Sequence, residues 1–302
     1  MASRVPTHNQ GLNELHINTH CHIYPQMLSR LQKERRWRMH AGSNEDEWLA
    51  FALQLTVESG AILREAATVR PDVEIKPDKS FVTALDARIE RRMREMLADR
   101  FPSHGIIGEE EAPSAGDADL VWVLDPIDGT AAFIAGLPVY GTLIALMREG
   151  EPILGVIDHP ITGDRWIGVK GRPTTHNEAR CRTRACGALS EAILSASNPD
   201  FFDAEETPAL NTMRAATAWR IWGGACMSFG LLASGRIDAA FDTRLKLWDF
   251  APFRPIIEGA GGVITDWEGQ AITHETGKRI MAAGDPARHR EMLGLVETAM
   301  KR

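Results

Sequence analysis

Leu120-Val-Trp-Val-Leu-Asp-Pro-Ile-Asp-Gly-Thr130 is the stretch on which the reading of this chain turns. Five apolar residues in succession fit a buried strand. The run then stops in an acid, a proline, a second acid and a Gly-Thr pair. Proline fixes the backbone there, so Asp125 and Asp128 can converge on one point instead of pointing to opposite faces. Two carboxylates so close repel unless a cation sits between them. Hard oxygen ligands of this kind suit magnesium, which takes carboxylates together with waters and substrate phosphate oxygens. The amides of Gly129 and Thr130, opening whatever helix follows, would form an anion cradle beside that cation. Taken alone, the same string also fits a capped surface turn.

Short apolar runs bounded by Gly, Pro and acids surround it: Gly105–Gly108, Gly141–Met147 and Pro152–Ile157, the last two joined as a hairpin through Arg148-Glu-Gly150. Upstream, helical periodicity predicts one helix from an N-cap at Ser43 to about Ala67, and a second from Ala84 to about Leu97. A polar turn, Lys76–Ser80, lies between them. Downstream come strands at Ala192–Ala196, Ile237–Phe241 and Gly262–Thr265, a glycine-rich helix start at Gly223–Met227, and a helix over Phe250–Gly259. Alternation of strands and helices predicts layered sheets covered by helices.

Composition limits the function. The chain has 302 residues, 44% of them hydrophobic and 25% charged, enough for a sizeable core. Forty-one acids against 34 bases leave a net charge of -7, so no basic surplus exists to neutralise a nucleic acid. Any phosphorylated ligand must be held locally. Four cysteines without CxxC spacing fit a reducing cytoplasm, and no apolar run is long enough to span a membrane. Residues 1–42 hold five of the ten histidines and read as an irregular N-terminal extension, for which a start at Met39 is an alternative. His16, His20, Cys21 and His22 are zinc-type ligands, but one short segment does not close a tetrahedral site.

Further acids stand at strand ends or turns: Asp86, Glu109 in Gly108-Glu-Glu-Glu111, and Asp249 in Trp248-Asp-Phe250. Together with Asp125-Pro-Ile-Asp-Gly-Thr130 and Gly259-Ala-Gly-Gly-Val263, they resemble, in order and spacing, the inositol monophosphatase family of magnesium-dependent phosphatases. The resemblance covers residue 43 to the C-terminus. It implies an α/β fold of alternating α-β-α-β-α layers, the inositol monophosphatase and fructose bisphosphatase type, with mixed sheets covered by helices. An N-terminal half, 43–184, would carry the metal motif, and a C-terminal half, 185–302, would complete the site. The resemblance further implies two to three Mg2+ per active site, held by Glu109, Asp125, the carbonyl of Ile127, Asp128 and Asp249. Thr130, backed by Asp86, and Glu109 would orient and deprotonate the attacking water. The amides of Gly129 and Thr130 would hold phosphate, and Gly223, Gly224, Ala225 and Asp242 would contact the leaving alcohol. Lys76 stands one residue off the family's lysine position. A homodimer is implied as well.

Ala132–Leu146, Gly155–Pro160 and Asp164–Gly168 resemble the histidinol-phosphatase branch, which acts in histidine biosynthesis. Its substrate carries an ammonium and an imidazole, and an acid such as Asp242 pairs with a cation better than with a neutral polyol. Lys246 nearby opposes that pairing unless it serves the phosphate. Trp248 before Asp249 instead resembles the inositol phosphatases. The expected activity is therefore hydrolysis of histidinol phosphate, with inositol monophosphate or a broad range of sugar phosphates as the alternative. A catalytically silent binding relative is disfavoured by the uninterrupted motifs. Trp122, Trp166, Trp219 and Trp222 read as core or interface anchors, and Cys181, Cys186 and Cys226 as small buried hydrophobes.

Overall fold

The computed structural model describes residues 44–68, 73–75, 81–114 and 118–301. The expectations for 1–42, the N-cap at Ser43 and Lys76 fall outside these. The described residues from Phe51 onward form one compact unit, and every described sheet lies in it.

Seven strands form the larger sheet in sequence order: β3 (Gly105–Gly108), β4 (Leu120–Asp128), β5 (Gly141–Arg148), β6 (Glu151–His159), β7 (Asp164–Val169), β8 (Thr175–His176) and β9 (Ala179–Arg180). Only the β3–β4 pair is parallel; the rest is a meander. The β5–β6 hairpin turns on Glu149 and Gly150, whose φ angles of 51° and 80° are those of a two-residue turn that matches strand twist. A small pair, β1 (Glu74–Ile75) and β2 (Phe81–Val82), precedes this sheet.

The smaller sheet has the order β11-β10-β12-β14-β13, with β10 at Ile193–Ala196, β11 at Trp219–Trp222, β12 at Ala239–Asp242, β13 at Val263–Asp266 and β14 at Ile280–Ala283. Strands β10, β11 and β12 run parallel, while β14 pairs antiparallel to both β12 and β13.

Helices separate and flank the sheets. Helix α2 (Ala84–Arg100) covers the larger sheet, where Phe51 of α1 (Asn44–Ala66) and Phe101 pack their rings against buried Trp122. Its other face meets α5 (Met227–Ala233) and α7 (Phe253–Gly259), and one buried cluster joins Leu143, Ile157 and Trp166 of the first sheet to Phe229, Phe253, Ile256, Ala240 and Ile280. Leu194, Phe241 and Met281 then bury the far face of the second sheet against α4 (Thr207–Ala216) and α8 (Pro286–Met300). The succession is α-β-α-β-α, as the resemblance implied. Helix α7 lies flush on the first sheet because Gly155 and Gly168 have no side chain: a Cβ at either would stand 2.1 Å from the Pro252 carbonyl or 2.4 Å from the Ile256 nitrogen.

Several elements depart from the sequence reading. The predicted helix over Phe250–Gly259 is two pieces, α6 (Leu247–Phe250) and α7, with Pro252 between them as the N-cap of the second. Strands β7, β11 and β14 and helices α4 and α8 were not predicted. Helix α8 carries a recognisable start, Asp285 accepting from the Ala287 amide with Pro286 in the first turn. Of the four tryptophans read as core or interface anchors, Trp122 and Trp166 are core, whereas Trp219 is 67% exposed on β11, with Trp222 beside it at 38%.

Candidate active site

Strand β4 does not end at Leu124 but runs on through Asp128. Asp125 pairs with Leu143 and Asp128 with Gly141, so three steps on β4 oppose two on β5. One extra residue is a β-bulge, and it cancels the alternation that would have sent the two carboxylates to opposite faces. The convergence expected of a turn is thus achieved by a bulge. Pro126 is tolerated in the strand because its missing N–H falls at the irregularity, while its carbonyl accepts from the Thr142 hydroxyl at 2.9 Å. Asp125 Oδ1 accepts from the Ile127 amide at 3.0 Å, which fixes the carboxylate.

Asp249 arrives from the second half, on α6, where its Oδ2 accepts from the Lys246 amide at 2.6 Å. Asp125, Asp128 and Asp249 then place carboxylate oxygens within 4.8 Å of one another. Burial raises the Asp125 carboxyl well above its ordinary range, and the charges of Glu109, Asp128, Asp249 and Asp86 raise it further. Asp249 is raised in the same way, by burial first and then by Asp128 and Glu109. Burial and these four neighbouring charges all penalise the charge on Asp125. Such an arrangement of hard oxygen donors is stabilised by a divalent cation.

The other expected residues gather around this triad. Glu109 follows β3 and is not one of the three, but its charge acts on both Asp125 and Asp249. Asp86 is buried in the first turn of α2 and accepts at Oδ2 from the Thr83 amide at 2.8 Å and the Thr83 hydroxyl at 2.6 Å. Thr130, which the resemblance pairs with Asp86, points its hydroxyl to the Ile127 carbonyl at 3.1 Å. That is the same carbonyl expected to bind metal. Gly129, with φ of 81°, turns the chain from the bulge into a short helix, α3 (Thr130–Ala135).

From the second sheet, Gly223, Gly224 and Ala225 fold over the motif. Gly223 and Ala225 have φ of 70° and 46°, and this left-handed path delivers the Cys226 amide to Asp128 Oδ2 at 2.6 Å. The approach is close: a Cβ on Gly129 would stand 2.9 Å from that of Ala225. Asp242, at the end of β12, is buried and accepts from the Ser197 hydroxyl and, at 3.0 Å, from the Thr243 amide. Burial pushes its carboxyl up to about 7, the two hydrogen bonds pull it down, and the charge of Asp128 raises it. Asp242 therefore feels the charge of one member of the triad, Asp128. Lys246 is exposed and offers its amide to Asp249.

Sequence reasoning missed several supports. The imidazole of His159, whose pKa burial lowers, sits between the Tyr140 carbonyl at 2.7 Å and the Cys226 sulfur at 3.6 Å. Ser197 was invisible as a partner because it lies 45 residues from Asp242. The Cys226 thiol is raised well above its usual range by burial, consistent with a small buried hydrophobe, yet its amide reaches Asp128.

A family model described as the inositol monophosphatase family matches residues 44–301. The chain is 41% identical over 261 residues to the chloroplastic bifunctional phosphatase IMPL2 of Arabidopsis thaliana, covering 83% of this chain and 75% of that protein. It is 31% identical over 238 residues to a histidinol-phosphatase of Mycobacterium tuberculosis, covering 77% and 91%. A solved inositol monophosphatase from Zymomonas mobilis superposes with a TM-score of 0.78 at 37% identity, over 84% of this chain and 99% of that one. Fold, site and relatives together define a phosphoric monoester hydrolase. The chain belongs to the inositol monophosphatase family.

Proposed function

We propose that this protein is a magnesium-dependent histidinol-phosphate phosphatase. Asp125, Asp128 and Asp249, with Glu109 and the Ile127 carbonyl, would hold the metal, for which the converging hard oxygen donors fit. Magnesium bound there would neutralise phosphate charge, acidify water and stabilise the leaving oxygen. The amides of Gly129 and Thr130 orient the phosphate. Glu109 and the Thr130 hydroxyl orient the attacking water, and Glu109 takes its proton. The water oxygen forms the new bond to phosphorus, the ester bond breaks, and the leaving alkoxide takes a proton from a solvent water, while Glu109 returns its own to solvent. Charge neutralisation and positioning are what a loose phosphoryl-transfer transition state requires.

The observation that carries the substrate reading is Asp242. A buried carboxyl whose pKa stands near neutrality gains its charge readily when a cation docks against it. Histidinol phosphate supplies an ammonium and an imidazole, while inositol phosphate supplies neutral hydroxyls. A second reading, inositol monophosphate, is favoured by Trp248 before Asp249. Comparing kcat/KM of Asp242→Asn with the parent on both esters separates them. The histidinol reading expects a loss of about 10-fold or more confined to histidinol phosphate; an equal loss on both esters refutes the pairing.

A further inference from the structure

Helix α2 serves the site twice. Asp86 lies in its first turn, and Glu90 follows one turn later on the same face. Glu90 is completely buried, a rare state for a glutamate without partners. Its Oε2 accepts from the Glu110 amide at 2.8 Å and its Oε1 from the Glu111 amide at 3.0 Å. Arg94 donates from Nε to Glu90 Oε1 at 2.8 Å and from a terminal nitrogen to the Glu111 carbonyl at 2.9 Å. On the other side of Glu109, Gly108 is pressed against the same carboxylate, so that a Cβ there would stand 2.3 Å from Glu90 Oε1.

We propose that Glu90 is a positioning residue, whose buried carboxylate clamps the backbone on both sides of Glu109 and aims that side chain at Asp125 and Asp249. This rests on the reading of Glu109 as a metal-site residue. Two charge-assisted bonds to consecutive amides leave residues 110 and 111 little freedom, and Arg94 closes the clamp by neutralising the carboxylate. Glu90 touches neither substrate nor metal. Its effect passes through Glu109.

Glu90→Gln tests it, because a carboxamide presents one oxygen and one NH2 group, and the NH2 cannot accept from the second amide. The measurements are hydrogen exchange of the Glu110 and Glu111 amides and calorimetric titration of the substrate-free protein with magnesium chloride. Exchange at those two amides is expected to quicken while β5 and β6 keep their protection, and Mg2+ affinity is expected to fall by about 10-fold, as for other residues that orient metal ligands. Met93→Ala, which opens a cavity on the same helix without touching the clamp, is the structural control. Unchanged Mg2+ affinity in Glu90→Gln, or an equal loss in Met93→Ala, overturns the proposal. Gly108→Ala displaces the same carboxylate from outside and is expected to reproduce both effects, so the test survives if Glu90→Gln does not fold. Glu109→Gln isolates the underlying reading: if it leaves Mg2+ binding intact, Glu109 is not a metal-site residue, whatever the exchange data show about the clamp.

Discussion

Replacing Asp242 by asparagine is expected to stabilise the metal-free protein in alkali and leave it unchanged in acid. The carboxyl ordinarily titrates at 3.8, and burial lifts it to about 7 despite the Ser197 hydroxyl and the Thr243 amide. A group whose folded pKa lies above its unfolded one binds its proton more tightly in the native state. The stability it lends is therefore complete below 3.8 and lost as pH rises through about 7. At about 1.4 kcal/mol per pKa unit, the ionised carboxylate costs on the order of 4 kcal/mol relative to a neutral group of the same shape. Asparagine is that group, since its oxygen can accept both bonds that Asp242 Oδ1 accepts. Water entry around the ionised form would reduce the gain to about 2 kcal/mol. A domain of this size shifts by about 2–4 °C per kcal/mol, giving roughly 5–15 °C. The assay is calorimetric unfolding of both proteins in EDTA from about pH 4 to about pH 9. A gain that grows with pH supports the reasoning, and a difference independent of pH, or a loss in alkali, refutes it.

Asp125→Asn and Asp249→Asn should each abolish magnesium-dependent phosphate release while circular dichroism remains that of the parent; retained activity in either would remove that carboxylate from the metal site. Gly168→Ala places a Cβ 2.4 Å from the backbone of α7, so thermal unfolding should show a loss of about 3 kcal/mol or more. Burial raises the Asp238 carboxyl, but Arg184 and the Ile193 amide outweigh it and leave it below its ordinary value. Asp238→Asn should therefore cost about 2 kcal/mol at neutral pH, discounted because Arg184 is 44% exposed, and the cost should shrink as pH falls below about 4. A cost that persists in acid would point to packing instead.

The layered architecture was legible because β3 through β6 each carry an apolar run with a clean boundary, and the DPxDGT string announced the site. Less could be read where structure depends on distant partners. The bulge that aligns Asp125 with Asp128 is a matter of register against Leu143 and Gly141, which local sequence does not state. Glu90 stands in a helix rich in charged residues, and the amides that single it out lie 20 and 21 residues away. Short elements such as β14, four small or apolar residues, have neither length nor alternation to mark them. Asp86 illustrates the opposite case: a resemblance placed it behind Thr130, and the structure gives it a local reason as well, since it caps the helix through Thr83.

On the proposed mechanism, a metal held by these carboxylates supports hydrolysis of a cationic phosphate monoester. The most direct measurement is phosphate release from histidinol phosphate, inositol monophosphates and nucleotide monophosphates, each with millimolar magnesium and with excess EDTA. This mechanism requires that release depend on magnesium and that kcat/KM be highest for histidinol phosphate. Release that persists in EDTA, or a preference for inositol phosphates, would contradict it.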